Sequence, residues 1–415
     1  MNPSLAFILV TIFLDAVGIG LVFPILPSLL KEHASDPQAA TRMFGWFISL
    51  YALMQFLASP VLGALSDRFG RRPVLLLSLV GAGIDYLIMA NTSSLFILFL
   101  GRIVAGLTGA SMTVASSYVS DTSNDSNRAS RFGYVNAAFG LGFVLGPAVG
   151  GWLGATFSTH APFLAAAIMN LANVAFGLFV LRESLPKEKR RRVAFSSLNP
   201  FRSLAWALRM PAVRPGLVVL FLSFLAGHVP PSIWAIYTGE RYGWDTRAVG
   251  LSLSAYGICM TFSQALLTGR LTTLLGERRT IGFGLATLVA CFVGFGLAPF
   301  GWMIFPLLMV DSVASISGPV MQARVSGHIP QANQGELQGT IVSLMSLASM
   351  LTPLLATQLH ATFSAPEPPF GLQIPGIAFF AGAVLFLAAA VVHFSGNPGS
   401  GSHAKGLSTP PSTPH

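Results

Sequence analysis

Long apolar blocks alternate with short polar turns along the whole chain. Each block holds about 20 residues, the length that an α-helix needs to cross the hydrocarbon core of a bilayer. The pattern predicts twelve membrane-spanning helices, over about residues 5–30, 42–66, 73–91, 94–119, 130–155, 161–181, 213–238, 246–270, 279–298, 301–325, 336–360 and 373–395. An even number of spans places both ends of the chain on the same side of the membrane.

The composition favours the same class of protein. Of the 415 residues, 53% are hydrophobic and 9% are charged, whereas soluble proteins carry roughly 25% charged residues. We therefore predict an all-α membrane protein. The net charge of +9 does not indicate nucleic-acid binding, because Lys and Arg lie almost entirely in the loops between apolar blocks. Both cysteines fall inside apolar blocks, so neither a disulfide framework nor a metal site is predicted.

The distribution of basic residues predicts the orientation. The even-numbered loops carry 18 Lys and Arg residues, and the odd-numbered loops carry 4. Cytoplasmic loops are enriched in these residues, so the even loops and both termini are expected in the cytoplasm. The first block is interpreted as a membrane helix and not as a cleaved signal peptide, since no basic segment precedes it and Asp15 lies inside it.

The longest loop divides the chain in two. Residues 1–181 form a first six-helix half, 182–212 a basic cytoplasmic linker and 213–395 a second six-helix half, while the Gly-, Ser- and Pro-rich segment 396–415 is predicted to be a disordered tail. An offset of 206 residues relates Gly63 to Gly269, Gly70 to Gly276 and Pro147 to Pro353. The halves are therefore expected to be parallel repeats, an architecture typical of transporters with a cavity between the halves.

Four charged residues are predicted to lie inside the membrane: Asp15, Asp85, Arg102 and Asp311. A charge within the bilayer is costly, so each is a functional hypothesis. An acidic side chain there can bind a proton from one side and release it to the other, as proton-coupled transport requires. Other interpretations stay open, because neighbouring hydroxyls could satisfy Asp85 and Arg102 could be a structural partner of either carboxylate.

Two short stretches are predicted to form a tight turn and a close contact between helices. GALSDRFGRR, residues 63–72, is a tight charged turn between two apolar blocks, and GFVLGPAVGG, residues 142–151, spaces small residues so that another helix can approach. Pro147 is expected to bend its helix, because it lacks a backbone donor. Ordinary glycine-mediated packing explains the second stretch equally well.

These stretches resemble motifs of the major facilitator superfamily. GALSDRFGRR is similar to its loop 2–3 signature, GRIVAGLTG at residues 101–109 to its helix 4 motif with a proton-linked Arg, and GFVLGPAVGG to the helix 5 motif of drug/proton antiporters. Longer segments, among them LDAVGIGLVFPILPSLL and QGELQGTIVSL, resemble tetracycline/proton antiporters. The resemblance covers nearly the whole chain.

The resemblance implies a function and a set of site residues. It implies a twelve-helix exporter of the bacterial inner membrane that exchanges a tetracycline–metal complex for protons, without enzymatic activity. No resident cofactor is implied, although the drug can carry Mg²⁺; the implied partners are the drug, protons and lipid. It implies proton coupling at Asp15, Asp85 and Arg102 and drug binding at Gln55 and Gln264. Asp311 is added to the expected proton-coupling residues because it is an intramembrane charge, and Asn136 and Gln322 are added to the expected drug-binding residues because they are polar; each of the four amides could equally hydrogen-bond a neighbouring helix. The gating residues are expected to be Gly63, Ser66, Asp67, Gly70, Arg71, Gly146 and Pro147.

Two positions differ from the family's pattern and leave a second cargo as an alternative. Leu288 stands where the family has a helix 9 carboxylate, and Met260 where it has a helix 8 histidine. Asp311 has no family counterpart, so it could be a relocated carboxylate or serve another substrate. An exporter of other drugs or metabolites is the alternative. A membrane enzyme has little support, since the sequence lacks metal-ligand, nucleophile-elbow and phosphate-loop motifs.

Overall fold

The structure of the protein is a computed structural model that describes residues 3–109, 111–124, 127–190, 210, 213–330 and 333–395. Within these ranges twelve helices are long and apolar enough to span a membrane. They are α1 (Ser4–Val22), α2 (Pro37–Phe69), α3 (Arg71–Asn91), α4 (Leu95–Thr122), α5 (Ser130–Thr156), α6 (Ala161–Val180), α7 (Arg214–Tyr242), α8 (Thr246–Leu275), α9 (Glu277–Leu297), α10 (Gly301–Gly327), α11 (Gln334–Phe363) and α12 (Ile377–Ser395).

The predicted all-α class and the twelve spans are confirmed. Most of the predicted linker, residues 191–209 and 211–212, lies outside the described residues, and so does the whole predicted tail, 396–415. The basic run from Lys187 to Arg192 is described only as far as Arg190. The proposed roles of these segments stay predictions.

The first two helices differ most from the predicted bounds. α1 ends at Val22, and a separate short helix, Leu26–Lys31, follows a turn at residues 23–25 that contains Pro24. Proline interrupts the helix there because it has no N–H to donate. α2 begins at Pro37, earlier than predicted, because the Asp36 carboxylate caps it and accepts a hydrogen bond of 2.7 Å from the Ala39 N–H. That bond lowers the pKa of Asp36.

Four of the helices are interrupted inside the membrane. α4 consists of Leu95–Thr108 and Ser111–Thr122, α7 of Arg214–Gly227 and Val229–Tyr242, and α10 includes Ile304–Ala314 and Ser317–Gly327. α8 contains a π-helical turn at Ser263–Leu267. Such breaks release backbone carbonyls that side chains can satisfy, and they are points where a helix can bend.

The two halves repeat local features at the offset of 206 residues. Pro147 lies inside α5 and Pro353 inside α11. The α2–α3 turn at Gly70 (φ 107°) and the α8–α9 turn at Gly276 (φ 77°) both use a positive φ. Backbone in this region favours glycine, which explains why both turns keep it.

The halves meet along two seams at one end of the molecule. At the first seam, a Cβ placed on Gly45 of α2 would stand 2.9 Å from the carbonyl oxygen of Pro353 in α11. At the second, a Cβ on Gly250 of α8 would stand 3.0 Å from the carbonyl carbon of Pro147 in α5. The backbones therefore touch where α2 and α8 begin and where α5 and α11 end.

The opposite end is open. A Cβ on Gly63 or on Gly269, near the α2–α3 and α8–α9 turns, would meet no neighbouring heavy atom within 4 Å. A cavity between the halves reaches Gly63 at this end, so the two bundles touch at one end and leave space between them at the other. With the predicted orientation, the open end faces the cytoplasm.

Candidate substrate cavity and buried charges

A cavity of about 780 Å³ lies between the halves. Its lining is mostly apolar and comes from α1–α5 and the segment between α1 and α2 in the first half and, within the described residues, from α11 alone in the second half. The main polar side chains that line it are Asp15, Gln55, Ser59, Ser78, Asp85, Arg102, Ser111, Thr113, Ser116, Ser343 and Ser346. An apolar cavity with a few placed polar groups suits a drug-sized ligand.

Asp85 and Arg102 form an ion pair at the cavity wall. The Arg102 Nε donates to Asp85 Oδ1 at 3.1 Å, and Nη2 pairs with Oδ2. The Phe47 and Tyr51 rings flank the guanidinium, with their centroids 5.1 and 5.3 Å from its central carbon. A Cβ on Gly101 would stand 2.8 Å from Asp85 Oδ1, so the glycine of the helix 4 motif lets the carboxylate reach Arg102. Of the two carboxylates that the sequence offered as partners of Arg102, Asp85 is the one that pairs with it.

Asp15 has a different environment. It lies on α1 and lines the cavity, to which the side chains of Tyr51, Tyr86 and Ser111 also contribute. No Lys, Arg or His nitrogen of the described chain forms an ion pair with this carboxylate. Among the described residues, Asp15 therefore faces the space that a substrate would occupy without a cationic partner, whereas Asp85 is neutralised by Arg102 of a neighbouring helix.

The four predicted drug-binding amides do not share one environment. Gln55 lines the cavity and donates from Nε2 to the Gly109 carbonyl at 3.1 Å, at the break in α4. Asn136 is exposed on α5, Gln264 lies in the π-helical turn of α8, and Gln322 is half-buried on α10. These three are outside the cavity lining of this conformation, and their drug-binding role stays a prediction.

The α2–α3 turn is a network of ion pairs and hydrogen bonds. Arg71 pairs with Asp67 at 2.6 Å and with Asp121 at 3.0 Å, and it donates to the Ser66 hydroxyl at 2.7 Å. Ser66 in turn donates to the Gly63 carbonyl at 2.8 Å. Arg71 is thus buried by its partners, and the turn is tied to the end of α4, where Asp121 lies.

Glu183 closes this network and was not identified from the sequence. Its carboxylate accepts the backbone N–H of Arg71 at 2.8 Å and of Arg72 at 3.2 Å, which caps the N-terminus of α3. A Cβ on Gly70 would stand 2.7 Å from Glu183 Cδ. The sequence signal was an acidic residue just after α6, and the partners are more than 100 positions apart.

The remaining predicted gating residues lie where α1, α5 and α8 meet. A Cβ on Gly20 of α1 would stand 2.9 Å from Gly146 Cα and 2.7 Å from Pro147 Cδ. The Ser254 hydroxyl of α8 donates to the Val144 carbonyl at 2.6 Å. Gly146 and Pro147 thus belong both to the packing of the first half and to the closed seam between the halves.

Comparison with known proteins identifies the family. The sequence profile described as Major Facilitator Superfamily matches residues 8–230 and 216–412. The chain belongs to this superfamily. It is 44% identical over 386 residues to the tetracycline resistance protein, class C, of Escherichia coli, a match that covers 93% of this chain and 95% of that protein. It is 41% identical over 392 residues to the class G protein of Vibrio anguillarum, with coverage of 93% and 96%.

A solved structure agrees at the level of the fold. A bacterial homologue of the human lysosomal transporter Spinster, described as inward-facing and occupied, superimposes with a TM-score of 0.78 at 13% sequence identity and covers 95% of this chain and 97% of that one. The resemblance that the motifs indicated is therefore confirmed. As a major facilitator superfamily member, the chain is a multi-pass membrane transporter.

The two departures from the family's motifs take different forms in the structure. Leu288 of α9 is buried, 5% exposed, in the apolar core of the second half. Met260 is half-buried on α8. Asp311 of α10 is also buried, 5% exposed, and lies outside the lining of the cavity. In this superfamily member, Asp311 of the second half therefore lies away from the space where the first half gathers its charges.

Proposed function

We propose that the protein exports tetracycline, as a complex with a divalent cation such as Mg²⁺, across the bacterial inner membrane in exchange for protons. Both termini and the even-numbered loops lie in the cytoplasm in this proposal. The named relatives, tetracycline resistance proteins at 35–44% identity, support the cargo. The basic residues of the loops support the orientation.

The observation that carries the proposal is Asp15 in the cavity without a cationic partner. A carboxylate in that position can hold a proton or contact a drug–metal complex, and the two compete for the same oxygens. Arrival of the metal-bearing drug then favours release of the proton, and return of the proton favours release of the drug. The Asp85–Arg102 pair neutralises a second carboxylate at the cavity wall and makes the wall polar without adding net charge.

Exchange also requires that the cavity opens alternately toward one side of the membrane and toward the other. The drug contacts α1–α5 on one side of the cavity and α11 on the other, and α11 also forms the seam with α2. A ligand that binds one arrangement of the halves better than the other shifts the equilibrium between them. Occupancy of the cavity can therefore act on the seam through one helix.

The test is drug uptake into inverted membrane vesicles under an imposed pH gradient. Wild type is expected to accumulate tetracycline only with both the gradient and Mg²⁺, and Asp15→Asn is expected to lose this uptake. Correctly inserted wild-type protein that accumulates no tetracycline would reject the proposed cargo. Uptake that is indifferent to Mg²⁺ would reject the metal complex alone.

A second candidate keeps the mechanism and changes the cargo. Leu288 and Met260 are apolar, whereas the resembled family carries a carboxylate and a histidine at these positions. This difference favours an exporter of other drugs or metabolites. The same vesicles, tested with a panel of planar drugs, separate the two candidates. Gradient-driven uptake of another compound in the absence of tetracycline uptake would favour the second.

A further inference from the structure

Asp311 is buried between helices of the second half and is 5% exposed. It projects from α10 toward α8, where the Tyr256 hydroxyl donates to Oδ2 at 2.9 Å, and the Ser315 hydroxyl donates to the same oxygen at 3.5 Å. The other oxygen, Oδ1, is buried and has no hydrogen-bond partner among the described residues. One carboxyl oxygen thus receives two donors and the other receives none.

No positive charge compensates this carboxyl group. None of the ion pairs in the described chain includes Asp311, and the titratable groups that face it are Tyr256 from α8 and Cys291 from α9. An isolated ionised carboxylate is very costly in such surroundings, so the group takes up a proton instead. Asp85, with Arg102 against it, is the contrasting case in the first half.

The hydrogen bonds are compatible with the neutral acid. In a carboxylic acid one oxygen is a carbonyl acceptor, and Oδ2 with its two donors fits that role. The proton then belongs on Oδ1, the oxygen without a donor. We propose that Asp311 is a proton-binding site of the second half, separate from the drug cavity, and that Tyr256 is its positioning residue.

The position of Asp311 between α8 and α10 links this proton to the motion of the halves. Seven residues beyond Tyr256, the Ser263 hydroxyl lies 3.1 Å from the Ser312 hydroxyl, at the start of the π-helical turn of α8. If Asp311 loses its proton, the charge must meet water, so α8 and α10 must separate there. Ser254, two residues before Tyr256, joins α8 to α5 across the closed seam. Proton release from Asp311 therefore loosens the helix that holds the seam.

Infrared difference spectroscopy on the purified full-length protein tests the proton directly. Wild type at neutral pH is expected to show the carbonyl stretching band of a protonated carboxylic acid that Asp311→Asn lacks. Tyr256→Phe is expected to move this band, because the carbonyl loses its shorter hydrogen bond. Tyr237→Phe is the matched control, since that buried tyrosine of the same half donates to the Phe295 carbonyl instead. Identical carboxylic-acid bands in wild type and Asp311→Asn would overturn the proposal.

Transport measurements test the role in the cycle, which rests on the proposed export. Asp311→Asn is expected to bind drug like wild type and to lose gradient-driven uptake at least tenfold. Tyr256→Phe is expected to displace the pH of half-maximal uptake by about one unit, as the loss of one hydrogen bond to the protonated acid allows. The proposal would be overturned if Asp311→Asn took up drug as well as wild type does. It would also be overturned if a Na⁺ gradient drove uptake by wild type and this variant abolished that uptake. Should wild type move no tetracycline, the export proposal fails, whereas the infrared result still decides the protonation of Asp311.

Discussion

Arg102 of α4 pairs with Asp85 of α3 at the cavity wall, and the Phe47 and Tyr51 rings flank the guanidinium. Both partners are almost fully buried. The pair therefore has two consequences that experiments can separate: it neutralises a buried carboxylate, and it presents a polar surface to the substrate.

Removing one partner is expected to destabilise the protein more than removing both. Arg102→Leu leaves Asp85 as an uncompensated buried charge, which costs about 3–5 kcal/mol of unfolding free energy. The double variant Asp85→Asn, Arg102→Leu removes both charges and should regain most of that stability. Thermal unfolding in detergent measures the stability, and vesicle uptake measures transport, which should stay low in both. Equal stability of the single and double variants would contradict a compensating pair.

Asp15→Asn is expected to separate drug binding from proton movement. The amide has nearly the shape of the carboxylate and its oxygen can still contact the drug–metal complex, so folding should be retained and drug binding should be weakened but measurable. Exchange of labelled for unlabelled drug without a gradient should also continue, since it needs no net proton transfer. Uptake driven by the pH gradient should fall to the level of vesicles without the protein. Asp15→Glu is the control that retains the acid, and a full loss of exchange in Asp15→Asn would instead assign Asp15 to drug binding alone.

Gly250→Ala is expected to open the closed end. Its Cβ would collide with the Pro147 carbonyl, so α5 and α8 must move apart at their seam. A cysteine introduced by Thr246→Cys, at the start of α8, should then react faster with an impermeant maleimide in the Gly250→Ala background. Gly269→Ala lies on the same helix at the open end and meets no neighbour, so it serves as the matched control. Unchanged labelling would show that the seam tolerates the methyl group.

Glu183→Ala is expected to loosen the α2–α3 turn. The two backbone N–H groups at the start of α3 lose their acceptor, and the loss of a helix cap costs about 1–2 kcal/mol. We expect a lower thermal unfolding temperature, with Glu183→Gln intermediate because its amide oxygen still accepts. Glu188→Ala, an exposed acidic residue five positions on, is the control. A loss of the same size in the control would trace the effect to net charge.

Much of the architecture could be predicted from local patterns. The length and spacing of the apolar blocks specify twelve spans, because a helix satisfies its own backbone hydrogen bonds in lipid wherever a long enough apolar block occurs. The predicted helix bounds were wrong where a single side chain sets the start or the end of a helix. α2 starts early because Asp36 caps it, and α1 ends early at the turn that contains Pro24. Gly70 and Gly276 mark turns whose positive φ glycine tolerates best.

The partners of the charged residues were harder to predict, since they are set by packing between distant segments. Asp15, Asp85 and Asp311 are all acidic residues in apolar blocks, yet one faces the cavity, one meets Arg102 and one is enclosed with Tyr256. Gln264 and Gln322 resemble Gln55 in sequence but fall outside the cavity lining. The cap that Glu183 provides joins residues more than 100 positions apart, which no local pattern can signal.

The sequence by itself determined that this protein is a twelve-helix membrane transporter with two related halves, because hydropathy, turn glycines and motifs act over short stretches of chain. Only the tertiary structure decided which acidic groups meet the substrate space, which are paired and which are shut away from any cation. The physical reason is that the direction of a side chain from a membrane helix depends on how neighbouring helices pack and rotate, and that packing joins residues that are far apart in the chain.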